Sequence, residues 1–305
     1  MKSKRLEKIE EIIKELKELK TESNGYAVVE NIKFFEAIKS PLNYIGWLVF
    51  AASKIDKEKI IELNDFPNEE WEEDLHRNLI KMERKRIPGM IEPLKRRIIE
   101  VIHTKEPRLI INLGAGAMEL ERQVVESLLR TEYDKKITFV AVDRSAVAKR
   151  IGMENLADLQ DRIEIEQIDQ LDKDRLATNY KKNIRIFLCS NDIFELDKEF
   201  GNKFFDLVLF AKFKHHLREA QKVRLDTIIK TTSKQLLEFD DYRSWGLLIP
   251  QSIATWKYPV LMNGAIFSRL RDYTRKELRE ERKTDERLEF FKNGSYLIEH
   301  SDKDI

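Results

Sequence analysis

The stretch Leu109-Ile110-Ile111-Asn112-Leu113-Gly114-Ala115-Gly116-Ala117-Met118-Glu119 decides how this chain is read, because an apolar strand runs straight into a Gly-x-Gly turn and then a helix. Glycine reaches backbone angles closed to other residues and lets the main chain approach a ligand closely. The first amides of the following helix have no intrahelical acceptors and face whatever lies beyond the strand end. A tight strand-to-helix turn that holds no ligand has the same local signature. The choice rests on the rest of the chain.

Working downstream, short apolar strands alternate with helices. After the strand Arg108 to Leu113 and the helix Glu119 to Leu129 come the strand Ile137 to Val142 and the helix Ser145 to Leu159. Ile184 to Cys189 and Phe205 to Phe210 continue the strands, followed by a long helix from Arg218 to Glu238 and a strand Trp245 to Ile249. Arg287 to Phe291 and Ser295 to Glu299 flank Lys292-Asn293-Gly294, whose Asn-Gly is a strong hairpin turn signal. The pattern predicts an α/β fold: a doubly wound, mostly parallel, seven-stranded sheet with helices on both faces and a C-terminal antiparallel hairpin.

Upstream, the texture is helical. Leu6, Ile9, Ile12, Ile13, Leu16 and Leu19 recur at spacings of three and four, the mark of an amphipathic helix. Its apolar stripe either packs on the rest of the protein or pairs with another subunit in a homo-oligomer. After a break at Ser23-Asn24-Gly25, helical pattern resumes over Val29 to Lys54, Lys57 to Leu63 and Glu69 to Arg86. The expected division is a helical extension or cap over residues 1–90 and a sheet domain over 91–305. Within the extension Glu69, Glu70, Glu72, Glu73 and Asp74 give way to Arg77, Lys81, Arg84, Lys85 and Arg86. Solvated helix faces explain this; a basic surface steering an anionic substrate is the alternative.

The charged fraction is 36%, yet the formal net charge is +1, so no global field draws the chain to nucleic acid or membrane. Cys189 is the only cysteine, which excludes an internal disulfide, and no metal site is expected; the thiol lies in an apolar strand and reads as buried and inert. The longest apolar stretch, Tyr44 to Ala52, is too short to span a bilayer and reads as a buried helix, so no membrane is expected. The N-terminus has no apolar signal core, which predicts a cytoplasmic protein.

The element order and several motifs resemble the class I S-adenosylmethionine-dependent methyltransferases over roughly residues 90 to 300. That family reads D/E-x-G-x-G-x-G after its first strand. Here Gly114 and Gly116 match, Asn112 stands at the acid and Met118 at the third glycine. An acid at the tip of the family's second strand accepts hydrogen bonds from the two ribose hydroxyls, and Asp143 is the matching residue; two carboxylate oxygens suit two hydroxyl donors. The same spacing fits dinucleotide folds, and Asp143 or Ser145 also suits a helix N-cap. Ser190-Asn191-Asp192-Ile193-Phe194 resembles the adenine-contacting segment, with Asp192 near the amino group and Ile193 on the ring. Asp169, after the alternating run Ile163 to Ile168, is the competing choice; with Asp192 preferred, residues 161 to 183 become an insertion.

The run Phe205 to Leu217 resembles the family's fourth strand and its His-His-Leu-like ending. It places Ala211 as a cofactor contact and His215 or His216 as a general base for a hydroxyl or amine acceptor; the alternative is that both histidines simply open a helix. Lys212 is a candidate for an anionic acceptor or an exposed lysine. Asn-Pro-Pro-Tyr, the grip of nucleic-acid amino-methyltransferases, is absent. Tyr26, Tyr44, Trp47, Trp256 and Tyr258 suit a pocket lid or, more simply, core packing. The terminal hairpin separates this family, with its antiparallel seventh strand, from dinucleotide-dependent oxidoreductases. The resemblance implies S-adenosylmethionine as cofactor and a small molecule or RNA as acceptor. A degenerate, non-catalytic binding or assembly protein is the alternative that Asn112 and Met118 raise.

Overall fold

The computed structural model describes residues 3–19, 25–56, 59–66, 68–86, 89–280 and 287–300. In chain order the helices are α1 (Lys4–Glu18), α2 (Gly25–Ala37), α3 (Pro41–Lys54), α4 (Glu69–Lys81) and α5 (Glu92–Lys105). Then come α6 (Glu119–Arg130), α7 (Ala146–Leu156), α8 (Lys173–Ala177), α9 (Leu196–Glu199), α10 (Glu219–Thr232), α11 (Trp245–Thr255), α12 (Pro259–Arg271) and α13 (Arg275–Glu280). The strands are β1 (Leu109–Leu113), β2 (Ile137–Val142), β3 (Glu164–Gln167), β4 (Ile184–Cys189), β5 (Leu207–Ala211), β6 (Leu236–Asp241), β7 (Arg287–Phe290) and β8 (Ser295–His300). The chain forms two compact units, Met1–Leu79 with Tyr242–Leu278, and Ile80–Asp241 with Arg279–Ile305. The helices α11 and α12 therefore belong with the N-terminal helices although they follow β6 in sequence.

In the second unit one eight-stranded sheet runs β3-β4-β2-β1-β5-β6-β8-β7. Strands β1 to β6 are mutually parallel, while β8 lies antiparallel between β6 and β7. Alternate residues of the central strands feed two cores. Ile110, Phe139, Ala141, Ile186 and Leu209 pack with Ile98 and Val101 of α5 and with Val124 and Leu128 of α6. Ile111, Val140, Phe187 and Phe210 pack with Leu225, Ile228 and Ile229 of α10. Burial on both faces is why these strands read as continuous apolar runs.

Four expectations change. The helical pattern expected over Lys57 to Leu63 is not an α-helix in the described residues 59–63, and Leu63–Asp65 forms a short 3₁₀ turn. The sheet has eight strands rather than seven, because part of the 161–183 insertion adds β3 to the open edge of β4. Arg185 of β4 ties the insertion down, donating to the Leu176 carbonyl at 3.0 Å and the Thr178 carbonyl at 3.1 Å. The helix expected to reach Glu238 stops at Thr232, and Leu236–Asp241 is the strand β6. Leu-Leu-Glu carries helical propensity, but β5 and β8 offer hydrogen-bonding edges on both sides and tertiary pairing wins. The strand expected at Trp245 to Ile249 is the start of α11; a short apolar run does not distinguish the two by periodicity.

In the first unit the α1 stripe is spent internally. Ile9, Ile12 and Leu16 are fully buried, with α1 packed on α2 and α12. Tyr44 and Trp47 join Phe34 and Phe267 in an aromatic cluster, and Trp256 lies under the Arg5 guanidinium at 4.2 Å, so these aromatics serve packing. Two buried asparagines cross-brace the unit. Asn263 Nδ2 donates to Asn31 Oδ1 at 2.7 Å, Asn263 Oδ1 accepts from the Leu63 amide at 2.8 Å, and Asn31 Nδ2 reaches the Ala27 and Ile61 carbonyls at 2.9 Å. The apolar stretch expected as a buried helix is α3, and it is buried on one side only: Leu42, Ile45 and Val49 face outward. Among the described residues no helix is long and apolar enough to cross a membrane.

Candidate functional site

Strand order reverses direction around β1, with β2 on one side and β5 on the other. In open α/β sheets ligands bind outside the carboxyl ends of strands at such a switch point. The loop leaving β1 and the segments leaving β2, β4 and β5 are where the residues singled out from sequence lie.

The glycine turn is a left-handed staircase. Gly114 has φ +70°, Gly116 +55° and Met118 +60°, so every second residue sits where L side chains are disfavoured. The amides of Gly114 and Ala115 both donate to the Val142 carbonyl, at 2.8 and 3.0 Å, which pins the turn to the end of β2. The ring of Phe213, leaving β5, lies on Gly114; a Cβ there would be 2.2 Å from the ring. Met118 replaces the third glycine of the expected pattern, and its side chain is fully buried against Gly152 of α7, where a Cβ would stand 2.6 Å from Met118 Cγ. The missing small residue in the turn is thus matched by one on the helix it meets. Gly152→Ala is expected to destabilise the protein by about 1–3 kcal/mol through overpacking, read as a lower urea midpoint at unchanged slope.

Asp143 reaches across to this turn. Its Oδ2 accepts from the Gly116 amide at 2.8 Å and its Oδ1 from the Ser145 amide at 2.8 Å. The N-cap of α7 is Ser145, whose hydroxyl accepts from the Ala148 amide at 3.0 Å, so Asp143 is not the capping residue. Each Asp143 oxygen carries one backbone donor, which leaves lone pairs for two further donors.

Asn112 and Glu121 form a buried pair behind the turn. Asn112 Nδ2 donates to Glu121 Oε1 at 2.5 Å, while Asn112 Oδ1 and Glu121 Oε2 have no hydrogen-bond partner. Burial pushes the Glu121 carboxyl up to about 7, with the charges of Asp143 and Glu119 adding to the rise and the Asn112 bond opposing it. The acid missing from β1 at Asn112 is present after all, nine residues on, in the first turn of α6. Sequence reasoning missed Glu121; an acid on the otherwise apolar face of an amphipathic helix was the available signal.

At the exit of β4, Asp192 caps a short 3₁₀ turn, accepting from the Phe194 amide at 2.9 Å, and Ile193 is half-buried beside it. Asn191 clasps the insertion, accepting from the Leu171 amide at 2.7 Å. Since β4 lies next to β2, Asp192 stands at the strand tip adjoining Asp143, whereas Asp169 follows the edge strand β3. Cys189 is buried and its thiol is pushed up to about 11 by desolvation, as an inert thiol should be.

At the exit of β5, Ala211 is half-buried and Lys212 pairs with Asp241. His215 is buried and its Nδ1 lies 2.6 Å from Asp240 Oδ1. Asp240 also accepts from the His215 amide at 3.2 Å and the Asp241 amide at 2.8 Å. Held this way, the Asp240 carboxylate is placed to accept the Nδ1–H hydrogen bond of His215 and to fix the orientation of the ring. The His216 ring is half-buried, 4.1 Å from that of His215. Asp240 was missed because the strand carrying it was expected to be helix.

The fold is therefore a doubly wound sheet with one antiparallel strand inserted next to the last, the arrangement expected of the class I methyltransferases and not of dinucleotide folds. No protein-family model and no curated protein matches the sequence. Among solved structures, the chain is similar to the methyltransferase domain of a bacterial Hen1, at 14% identity over 69% of this chain and 98% of that one, with a TM-score of 0.43. It is also similar to an O-methyltransferase from Nostoc punctiforme, at 18% identity over 88% and 71% of the two chains and a TM-score of 0.47. Human N-acetylserotonin methyltransferase in complex with S-adenosylmethionine gives 11% identity, 88% and 69% coverage and a TM-score of 0.47.

Proposed function

We propose that this chain is an S-adenosylmethionine-dependent methyltransferase acting on a small molecule or RNA. The observation that carries the reading is the meeting of the glycine turn with the acid of the second strand, Gly116 amide to Asp143 Oδ2, at the switch point of a sheet of this topology. In this reading Ile80–Asp241 with Arg279–Ile305 is the cofactor-binding unit and the helices form the extension.

The residues suit the cofactor. Asp143 keeps acceptor capacity on both oxygens for a pair of ribose hydroxyls. Asp192 and Ile193, at the neighbouring strand tip, would hold the adenine, and Asn112, Gly114, Gly116 and Ala211 would flank the rest. When bound, the sulfonium supplies the methyl group together with its own leaving group. The protein is then left chiefly with alignment, which accounts for roughly 7–11 kcal/mol of barrier in well-oriented reactions. The His215–Asp240 pair is assigned as base, with Asp240 orienting the ring and His215 taking the proton of a hydroxyl or amine acceptor. His216 is the second candidate.

Calorimetric titration of the purified protein with S-adenosylmethionine and S-adenosylhomocysteine, with NAD as control, tests the reading. Micromolar binding of the sulfur nucleosides without NAD binding is expected; NAD binding alone, or no binding of either, overturns it. Asp143→Ala should weaken S-adenosylhomocysteine binding about tenfold or more by removing charge-assisted bonds. Unchanged affinity would remove Asp143 from the ribose site.

A further inference from the structure

The hydrogen bonds behind the glycine turn balance in only one protonation state. Asn112 and Glu121 are 4% and 2% exposed, and one bond joins them, from Asn112 Nδ2 to Glu121 Oε1. The two remaining polar atoms of the pair, Asn112 Oδ1 and Glu121 Oε2, are buried without a partner. While Glu121 is a carboxylate both are acceptors, so neither satisfies the other, and buried acceptors left in that state are costly. A proton on Oε2 makes it the donor that Asn112 Oδ1 lacks, the second bond of an acid–amide pair. The surrounding charges favour the same form. Asp143, after β2, and Glu119, on α6 itself, both oppose a further negative charge. The basic side chains nearby are engaged elsewhere, Arg84 with Glu119 and Arg122 with Asp158, and the α5 residues packed on α6, Ile98 and Val101 among them, are apolar. The pair also belongs to the turn: Asn112 stands two residues before Gly114, and Asp143 holds the Gly116 amide.

We propose that Glu121 links cofactor binding to a proton, so that the site holds the sulfonium cofactor with Glu121 ionised and the thioether product with Glu121 protonated. This rests on the S-adenosylmethionine reading given above. S-Adenosylmethionine carries one positive charge more than S-adenosylhomocysteine, and a positive charge at the turn offsets the repulsion from Asp143 and Glu119 that keeps Glu121 neutral. Oε2 then releases its proton to solvent. Once methyl transfer has removed the sulfonium charge, Oε2 takes a proton back and its bond to Asn112 returns. Glu121 touches no reacting atom; it acts through its charge, favouring the reagent over the product as pH rises.

Calorimetric titration of wild type and Glu121→Gln with both ligands, from about pH 5.5 to 8, tests the proposal. Glutamine donates from Nε2 to Asn112 Oδ1 in every ligand state and cannot ionise, and circular dichroism measured alongside should match the wild type. Across this range the wild type's preference for S-adenosylmethionine over S-adenosylhomocysteine is expected to rise about tenfold relative to the variant, as a difference of about one pKa unit between the two complexes produces. Titration of the ligands' own groups is common to both proteins and cancels. Repeating the titration near pH 6.5 in buffers of different ionisation enthalpy should show the wild type releasing about half a proton more than the variant on binding S-adenosylmethionine. Identical pH profiles and proton release in the two proteins, or a preference that falls with pH, overturn this inference and leave the cofactor reading standing. A wild type that binds neither ligand removes that reading and the inference with it.

Discussion

Glu121→Gln is expected to stabilise the protein by about 3 kcal/mol at pH 8 and to leave it nearly unchanged near pH 4.5. The carboxyl is buried among apolar side chains, accepts one hydrogen bond from Asn112 and feels the negative charges of Asp143 and Glu119, so its value rises from 4.5 to about 7. The folded state then holds a proton that the unfolded chain gives up between those two values. Because the folded state binds the extra proton, the Glu121 contribution to wild-type stability falls as pH rises from about 4.5 to 7 and is level above. Glutamine copies the shape of the neutral acid and cannot ionise, so the variant loses this slope. Guanidinium unfolding at several pH values measures it. A variant less stable than wild type at pH 8 would show that the carboxylate, and not the acid, is the form the fold requires.

Gly114→Ala is expected to cost about 2–4 kcal/mol, because two penalties fall on one atom. The residue sits at φ +70°, where a Cβ crowds the following carbonyl, and the same Cβ would come 2.2, 2.7 and 3.0 Å from three atoms of the Phe213 ring. The two penalties separate in a double-mutant cycle. Phe213→Ala should relieve the ring clash and leave about 1 kcal/mol of backbone strain, so the pair should couple favourably. Additive losses would show that the ring moves aside freely. The same substitution shifts the turn that Asp143 holds through Gly116, so S-adenosylhomocysteine affinity should fall with stability.

Much of the site was legible in local pattern. Glycine at 114 and 116 announces positive φ, and the strands β2 and β4 have the bounds their apolar runs suggest, because burial on both faces keeps them apolar except at Thr138 and Arg185. The hairpin at Asn293-Gly294 was equally plain. Asp143 was legible as the end of a strand, but its bond to Gly116 is a contact between residues 27 apart in sequence. The elements that were misread, β6 and α11, are short apolar segments whose state depends on which neighbours offer hydrogen bonds.

Local sequence determines the periodic faces, the left-handed turn and the hairpin, since these rest on side-chain spacing and on the angles glycine and asparagine tolerate. Tertiary structure decides the rest. Glu121 supplies the carboxyl that Asn112 lacks, Gly152 receives Met118, and Asp240 stands behind His215, each pairing a residue with one on another element. It also decides that the α1 stripe is buried while the α3 stripe is not, because amphipathic spacing says that a face is apolar and only packing says which partner covers it.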